Sequence, residues 1–157
     1  MILTIKGGTA SQKKRVESMV NFCVTKLMPR MKDLEITVRL KDLSKAGVYG
    51  YCMADPEGDA KRLDRPRSFD LEIHSKMSMR KLLTTVAHEM VHAKQYARGE
   101  LYQGVRVNKY RWQGKWVGEM NYWDEPWEIE AHGRETGLFV QWAEKEKLGN
   151  QAWTHDT

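Results

Sequence analysis

The chain of 157 residues holds only two cysteines, Cys23 and Cys52, far apart and in no metal-like spacing. A disulfide framework and a cysteine-based metal site are therefore not expected; two free thiols in a reducing, cytoplasmic setting are. No apolar run approaches the ~20 residues that span a bilayer, so no membrane partner is expected. The opening residues, Met1-Ile2-Leu3-Thr4-Ile5-Lys6-Gly7-Gly8, lack a basic segment followed by a long apolar stretch and do not read as a secretion signal. Repeats, low-complexity tracts and a dividing linker are missing too, which leaves one domain over residues 1–157 as the expectation. Nor is there a strong excess of one charge. Lys and Arg number 26 against 21 Asp and Glu, a net charge of +5. That permits contact with nucleic acid without demanding it. The basic clusters, Lys13-Lys14-Arg15 and Lys61-Arg62-Leu63-Asp64-Arg65-Pro66-Arg67, are small, and the second reads as a solvated loop.

What is present is His88-Glu89-Met90-Val91-His92, an H-E-x-x-H pattern. Leu82, Leu83, Val86, Ala87, Met90 and Val91 around it form an apolar stripe at helical spacing, with Ser78 as the cap and Gly99 as the stop. One helical turn separates the two histidines, so both imidazoles leave the same face and can bind one Zn²⁺. Glu89 is offset around the helix, the placement of a base that takes a proton from water and not of a ligand. A chance match is on the order of one in a hundred for this composition, so the agreement of motif and helix carries weight.

The rest of the chain reads as α+β. Residues 2–5 suggest a strand ended by Gly7-Gly8. Thr9 and Gln12 suggest a capping box, followed by a helix to Met28 that Pro29 stops. Residues 35–40, 47–53 and 69–74 read as strands, giving a sheet of three or four. The last of these, residues 69–74, is the expected sheet edge above the metal cleft, where an extended peptide can add. Asp55-Pro56-Glu57-Gly58-Asp59 has turn chemistry. Residues 101–125 are crowded with aromatics and glycines. Val105-Arg106-Val107 and Tyr110-Arg111-Trp112 alternate, and Gln113-Gly114 suits a hairpin turn before Trp116. The segment is expected to wall a substrate cleft or form a satellite core; base stacking is the less favoured reading.

A catalytic zinc needs a third protein ligand and an open position. His74 precedes the motif helix, and His155 lies in a tail expected to fray. A better source is the helix expected over residues 126–142, opened by Pro126 behind Asp124-Glu125. Its apolar stripe is Trp127, Ala131, Leu138 and Trp142. Glu128 and Glu135 lie beside that stripe by helical angle, while Glu130 points away. Glu128 is thus the expected inward carboxylate, small Ala131 permits close approach of the two helices, and His132 is placed to orient Glu128.

His88-Glu89-Met90-Val91-His92 followed by Glu128-Ile129-Glu130-Ala131-His132 resembles the gluzincin arrangement of zinc metallopeptidases. There a glutamate in E-x-x-A-D or E-x-x-A-N is the third ligand. The Glu and Ala positions match; His132 departs from the pattern. The compact size is similar to minimal gluzincins of the ImmA/IrrE type, and the style resembles small SprT-like metallopeptidases of phage genomes. True SprT proteins use a third histidine soon after the motif, and none occurs here between His92 and His132. The resemblance covers the two helices only. It implies a zincin-like domain that binds Zn²⁺ through His88, His92 and Glu128. It further implies Glu89 as general base, a protein or peptide substrate, and a site of action in the cytoplasm, a phage's host included. Tyr110, Tyr122 and His132 are the candidates to steady the oxyanion. Two other readings stand beside it: a non-catalytic zinc-containing binding module, its fourth position closed by His132 or Glu130, and a DNA-associated SprT-like protease.

Overall fold

The computed structural model describes residues 1–55, 64–104 and 109–155. It is an α+β arrangement of three helices, a mixed four-stranded sheet and a small three-stranded sheet. Strand β1 (Ile2–Gly7) runs into helix α1 (Ala10–Leu27), whose first turn is closed by the reciprocal Thr9 and Gln12 capping bonds. Strands β2 (Glu35–Lys41), β3 (Gly50–Ala54) and β4 (Ser68–His74) complete the large sheet in the order β1-β2-β4-β3. β1, β2 and β4 are parallel, and β3 is antiparallel to β4.

The alternation in these strands sets two faces. Ile36, Val38, Leu40, Phe69, Leu71 and Ile73 are buried against α1 and the motif helix α2 (Met79–Ala97). The opposite face carries the Arg39–Asp70 and Lys41–Glu72 ion pairs. From α1, Val16, Met19, Val20 and Cys23 enter the same core. Gly7 is required where β1 ends: its φ is +78°, and a Cβ there would collide with the Leu40 carbonyl.

The edge facing α2 is β3, and not residues 69–74 as expected. β4 lies between β2 and β3. Alternation reports a half-polar face and is silent on lateral position, because edge and interior strands of a one-sided sheet share it. The strand expected at 47–53 begins at Gly50, and the last helix, α3 (Pro126–Lys145), outlasts the expected 142.

Between α2 and α3 the chain forms β5 (Leu101–Gln103), β6 (Tyr110–Trp112) and β7 (Lys115–Val117) in one antiparallel sheet. Gln113 and Gly114 turn the β6–β7 hairpin with φ of 48° and 83°, both left-handed as such a two-residue turn requires. Val105-Arg106-Val107, Lys61-Arg62-Leu63 and most of the turn after Asp55 lie outside the described residues. The tail through His155 does not fray: Trp153 packs on Phe139 and Trp142, and the Thr154 carbonyl accepts from Arg80. Among the described residues no helix is long and apolar enough to cross a membrane.

Candidate metal centre

α2 is the most enclosed element, packed on α1, α3, β3 and β4. It carries His88, Glu89 and His92, all buried, against the first turns of α3. The small Ala131 is fully buried at this helix contact. Glu128, on the turn that Pro126 opens, reaches both histidines. Its Oε2 lies 3.2 Å from His88 Nε2 and its Oε1 2.9 Å from His92 Nε2. The three side chains offer donor atoms within 4.8 Å of one another. Tetrahedral ligands at ~2.0–2.2 Å from an ion stand roughly 3.3–3.6 Å apart, so the set fits one metal with little movement. Two neutral imidazole nitrogens and a carboxylate also form a donor set that divalent transition metals accept.

Both imidazoles are oriented from behind. His88 Nδ1 donates to Glu135 Oε2 at 3.0 Å, and His92 Nδ1 donates to Gln95 Oε1 at 2.8 Å. That leaves each Nε2 as the nitrogen turned towards Glu128. Gln95 is itself held, because its Nε2 donates to the Trp127 carbonyl and to Glu130 Oε1.

The field inside is strongly anionic. Burial would raise the Glu128 carboxyl, but its bonds with His88 and His92 reverse this and hold it well below the usual carboxylate range. Burial would lower His88; its bonds with Glu128 and Glu135 instead push it up to about 10. The arrangement that favours a proton on these nitrogens favours a cation between them, since metal and proton compete for the same lone pairs. Glu89 is not one of the donors. Burial pushes its carboxyl up, against the pull of His92 and His88.

The donors open on a cavity of about 500 Å³. One wall is β3 and the loop before it, from Gly47 to Cys52; the other is Tyr110, Tyr122 and Trp127. β3 can run this close to the motif because Gly50 has no side chain. A Cβ there would stand 3.0 Å from Thr85 Cγ2 and 3.2 Å from Glu89 Cγ.

Each expected site residue has a definite place. His88, His92 and Glu128 converge, and Glu89 lines the cavity beside them. Tyr122 donates to Glu128 Oε2 at 2.7 Å, and His132 Nε2 is 3.0 Å from the same hydroxyl. His132 Nδ1 is turned to Glu135 Oε1 at 3.1 Å, so His132 reaches Glu128 mainly through Tyr122. Tyr110 lines the cavity and packs on Trp127, ring centres 5.0 Å apart. His74 is not near: its Nδ1 accepts from the Leu43 amide. His155 is bonded to the Gly149 carbonyl. Glu130 is turned along α2 to Lys94 and Gln95 and does not join the donors.

Cys23 sits in the core and Cys52 on the cavity wall, so they form no shared site. Of the basic clusters, Arg67 is bonded to the carbonyls of Arg65, Pro66 and Ala97, and Arg15 lies over the Trp153 ring. The sequence reading missed Gln95, Gly50 and the role of Glu135. The spacing of Gln95, three residues after His92, was the available signal. Compared with family models, with curated proteins and with solved structures, the chain finds no match.

Proposed function

We propose that the chain is a zinc-dependent metallopeptidase with a zincin-like architecture, of gluzincin type. One observation carries the reading: a His88, His92 and Glu128 donor set opens on a cavity, with the buried carboxylate of Glu89 beside it and outside the set. The residues proposed to close the fourth position of a purely structural site are otherwise engaged, His132 by Glu135 and Glu130 by Lys94. This favours an open position and hence catalysis over a binding module.

When bound, zinc supplies a Lewis acid and makes water acidic enough to react near neutral pH. The chain supplies the rest. β3 is an open strand edge along the cavity and can hold an extended peptide by backbone hydrogen bonds. Glu89 accepts the proton of the attacking water and returns it to the leaving amine; a carboxyl raised by burial suits both roles. Tyr122, whose hydroxyl lies beside the donor set, is assigned to the oxyanion in preference to Tyr110 and His132; its one proton, given to Glu128 at rest, would turn to the developing charge.

Elemental analysis of the zinc-loaded protein should find about one zinc per chain. That protein should cleave casein or a mixed peptide library. Glu89→Gln should keep the zinc and lose ~10²–10⁴-fold in rate. An undiminished rate in Glu89→Gln, with zinc bound, would refute the mechanism.

A further inference from the structure

A second set of donor atoms overlaps the first: His88, His132 and Glu135. Both sets need His88, which has one nitrogen for each. Nε2 faces Glu128, and Nδ1 gives its proton to Glu135 Oε2 at 3.0 Å. A metal in the second set, with the first filled, would require that imidazole to lose both protons, which neutral solution strongly disfavours. The other oxygen of Glu135 meets His132 Nδ1 at 3.1 Å, and His132 Nε2 lies 3.0 Å from the Tyr122 hydroxyl. Tyr122 in turn donates to Glu128 at 2.7 Å. The bonds close a ring through Glu128, Tyr122, His132, Glu135 and His88. The exposed Trp123 lies beside it, with its ring 5.1 Å from that of His132.

We propose that Glu135 is a positioning residue that fixes His88 for the metal directly and holds Tyr122 at the cleft through His132. This rests on the metal-centre reading above. Glu135 is suited to the task because it stands two turns after Glu128, on the same face of α3. His132 is then a strut of the ring and not a ligand.

Zinc affinity, measured by chelator competition, separates these roles. Glu135→Gln, which replaces the carboxylate behind His88 with a neutral amide holding one accepting oxygen for two imidazoles, should weaken zinc ~10–100-fold, and Glu135→Asp should recover part of it. His132→Ala should stay within roughly threefold of wild type, since it contacts no ligand nitrogen. In NMR spectra of the zinc-loaded protein, His88 and His92 should each show a protected imidazole N–H. Glu135→Gln should displace only that of His88. Unchanged zinc affinity in Glu135→Gln would overturn the proposal while leaving the metal centre intact. So would a second zinc equivalent lost in both Glu135→Gln and His132→Ala. Failure of the wild type to bind zinc would overturn both readings.

Discussion

Thirteen of the nineteen residues of α2 are buried, against six of the twenty in α3. Five of the buried α2 residues are polar: His88, Glu89, His92, Lys94 and Gln95. All but Glu89 find a partner on α3. Glu128 and Glu135 take His88, Glu128 takes His92, and Glu130 takes Lys94 and Gln95. A helix this enclosed cannot hold so many polar groups unless a neighbour answers them. α3 provides the answering carboxylates from half-buried positions. The helix contact and the candidate site are thus one set of interactions, with α2 as the enclosed member and α3 as the more exposed one.

The sharpest way to break that asymmetry is to remove a buried cation from α2. Lys94 lies 2.7 Å from Glu130 and 2.8 Å from Glu100. Lys94→Ala should destabilise the protein by about 3 kcal/mol, because Glu130 and Glu100 lose their buried cation and keep only the more exposed Arg134 and Arg98. The same truncation of Arg134, an exposed partner of Glu130 on α3, should cost under ~1 kcal/mol. Equal losses in urea melts would show that the burial of α2 does not set the cost.

Metal should tighten the same contact. An ion shared by His88, His92 and Glu128 ties α2 to α3, so zinc at a hundredfold over its dissociation constant should add about 2.7 kcal/mol. Glu128→Ala should abolish that gain and should also lower the metal-free melt at pH 7, because the buried His88 and His92 lose the carboxylate between them. A zinc-dependent rise in Tm that survives in Glu128→Ala would place the ion elsewhere.

Acid should expose the difference between the carboxylates of the two helices. Burial would raise Glu130, but bonds from Lys94 and Gln95 hold it below its ordinary value of 4.5. A carboxyl lowered by folding stabilises the fold above its unfolded pKa, and that contribution goes as pH falls through the folded value. Glu89 has the opposite sign: burial raises it, so its charge disfavours the fold once pH passes the unfolded value. In metal-free protein, Glu130→Gln should therefore flatten the loss of stability below pH ~4.5 and lower stability at pH 7 by about 1 kcal/mol. Glu89→Gln should raise the melting temperature at pH 7. Matching shifts from the two variants would contradict the opposed signs.

The same contrast explains what could be read from the sequence. On α2 one five-residue motif holds His88, Glu89 and His92, and helical periodicity alone fixes their relation. On α3 the angle of Glu128 to the apolar stripe found the inward carboxylate. It did not find the partners of Glu130 and Glu135, because those depend on how two helices cross, which no single helix encodes. Glu130 leaves the stripe at a wide angle, yet its side chain is long enough to reach Lys94. The strand order was illegible for a similar reason: only pairing tells interior from edge. Gly50 would have been a clue to a close approach, but nothing in the local pattern says to what.

The smallest expected effect lies in the segment joining the two helices. Its aromatics divide into two groups. Tyr110 and Trp112 pack on the buried Trp127, and Tyr110 also faces the cavity. Trp116 is half exposed on β7, set against Tyr102 and Arg111 away from the cavity wall. The expectation that the aromatics of this segment wall a cleft is thereby narrowed to Tyr110 and Tyr122 as the ones that face the cavity. Trp116→Ser should change stability by about 0.5 kcal/mol or less, because a surface ring surrenders little buried area. It should also leave the Michaelis constant for a cleaved peptide where it was. Tyr110→Ala should raise that constant severalfold at unchanged zinc affinity, since it strips a cavity wall without touching a donor. If Trp116→Ser moves the Michaelis constant as much as Tyr110→Ala does, substrate extends beyond the cavity across the outer face of the small sheet, and the segment contributes a second contact surface.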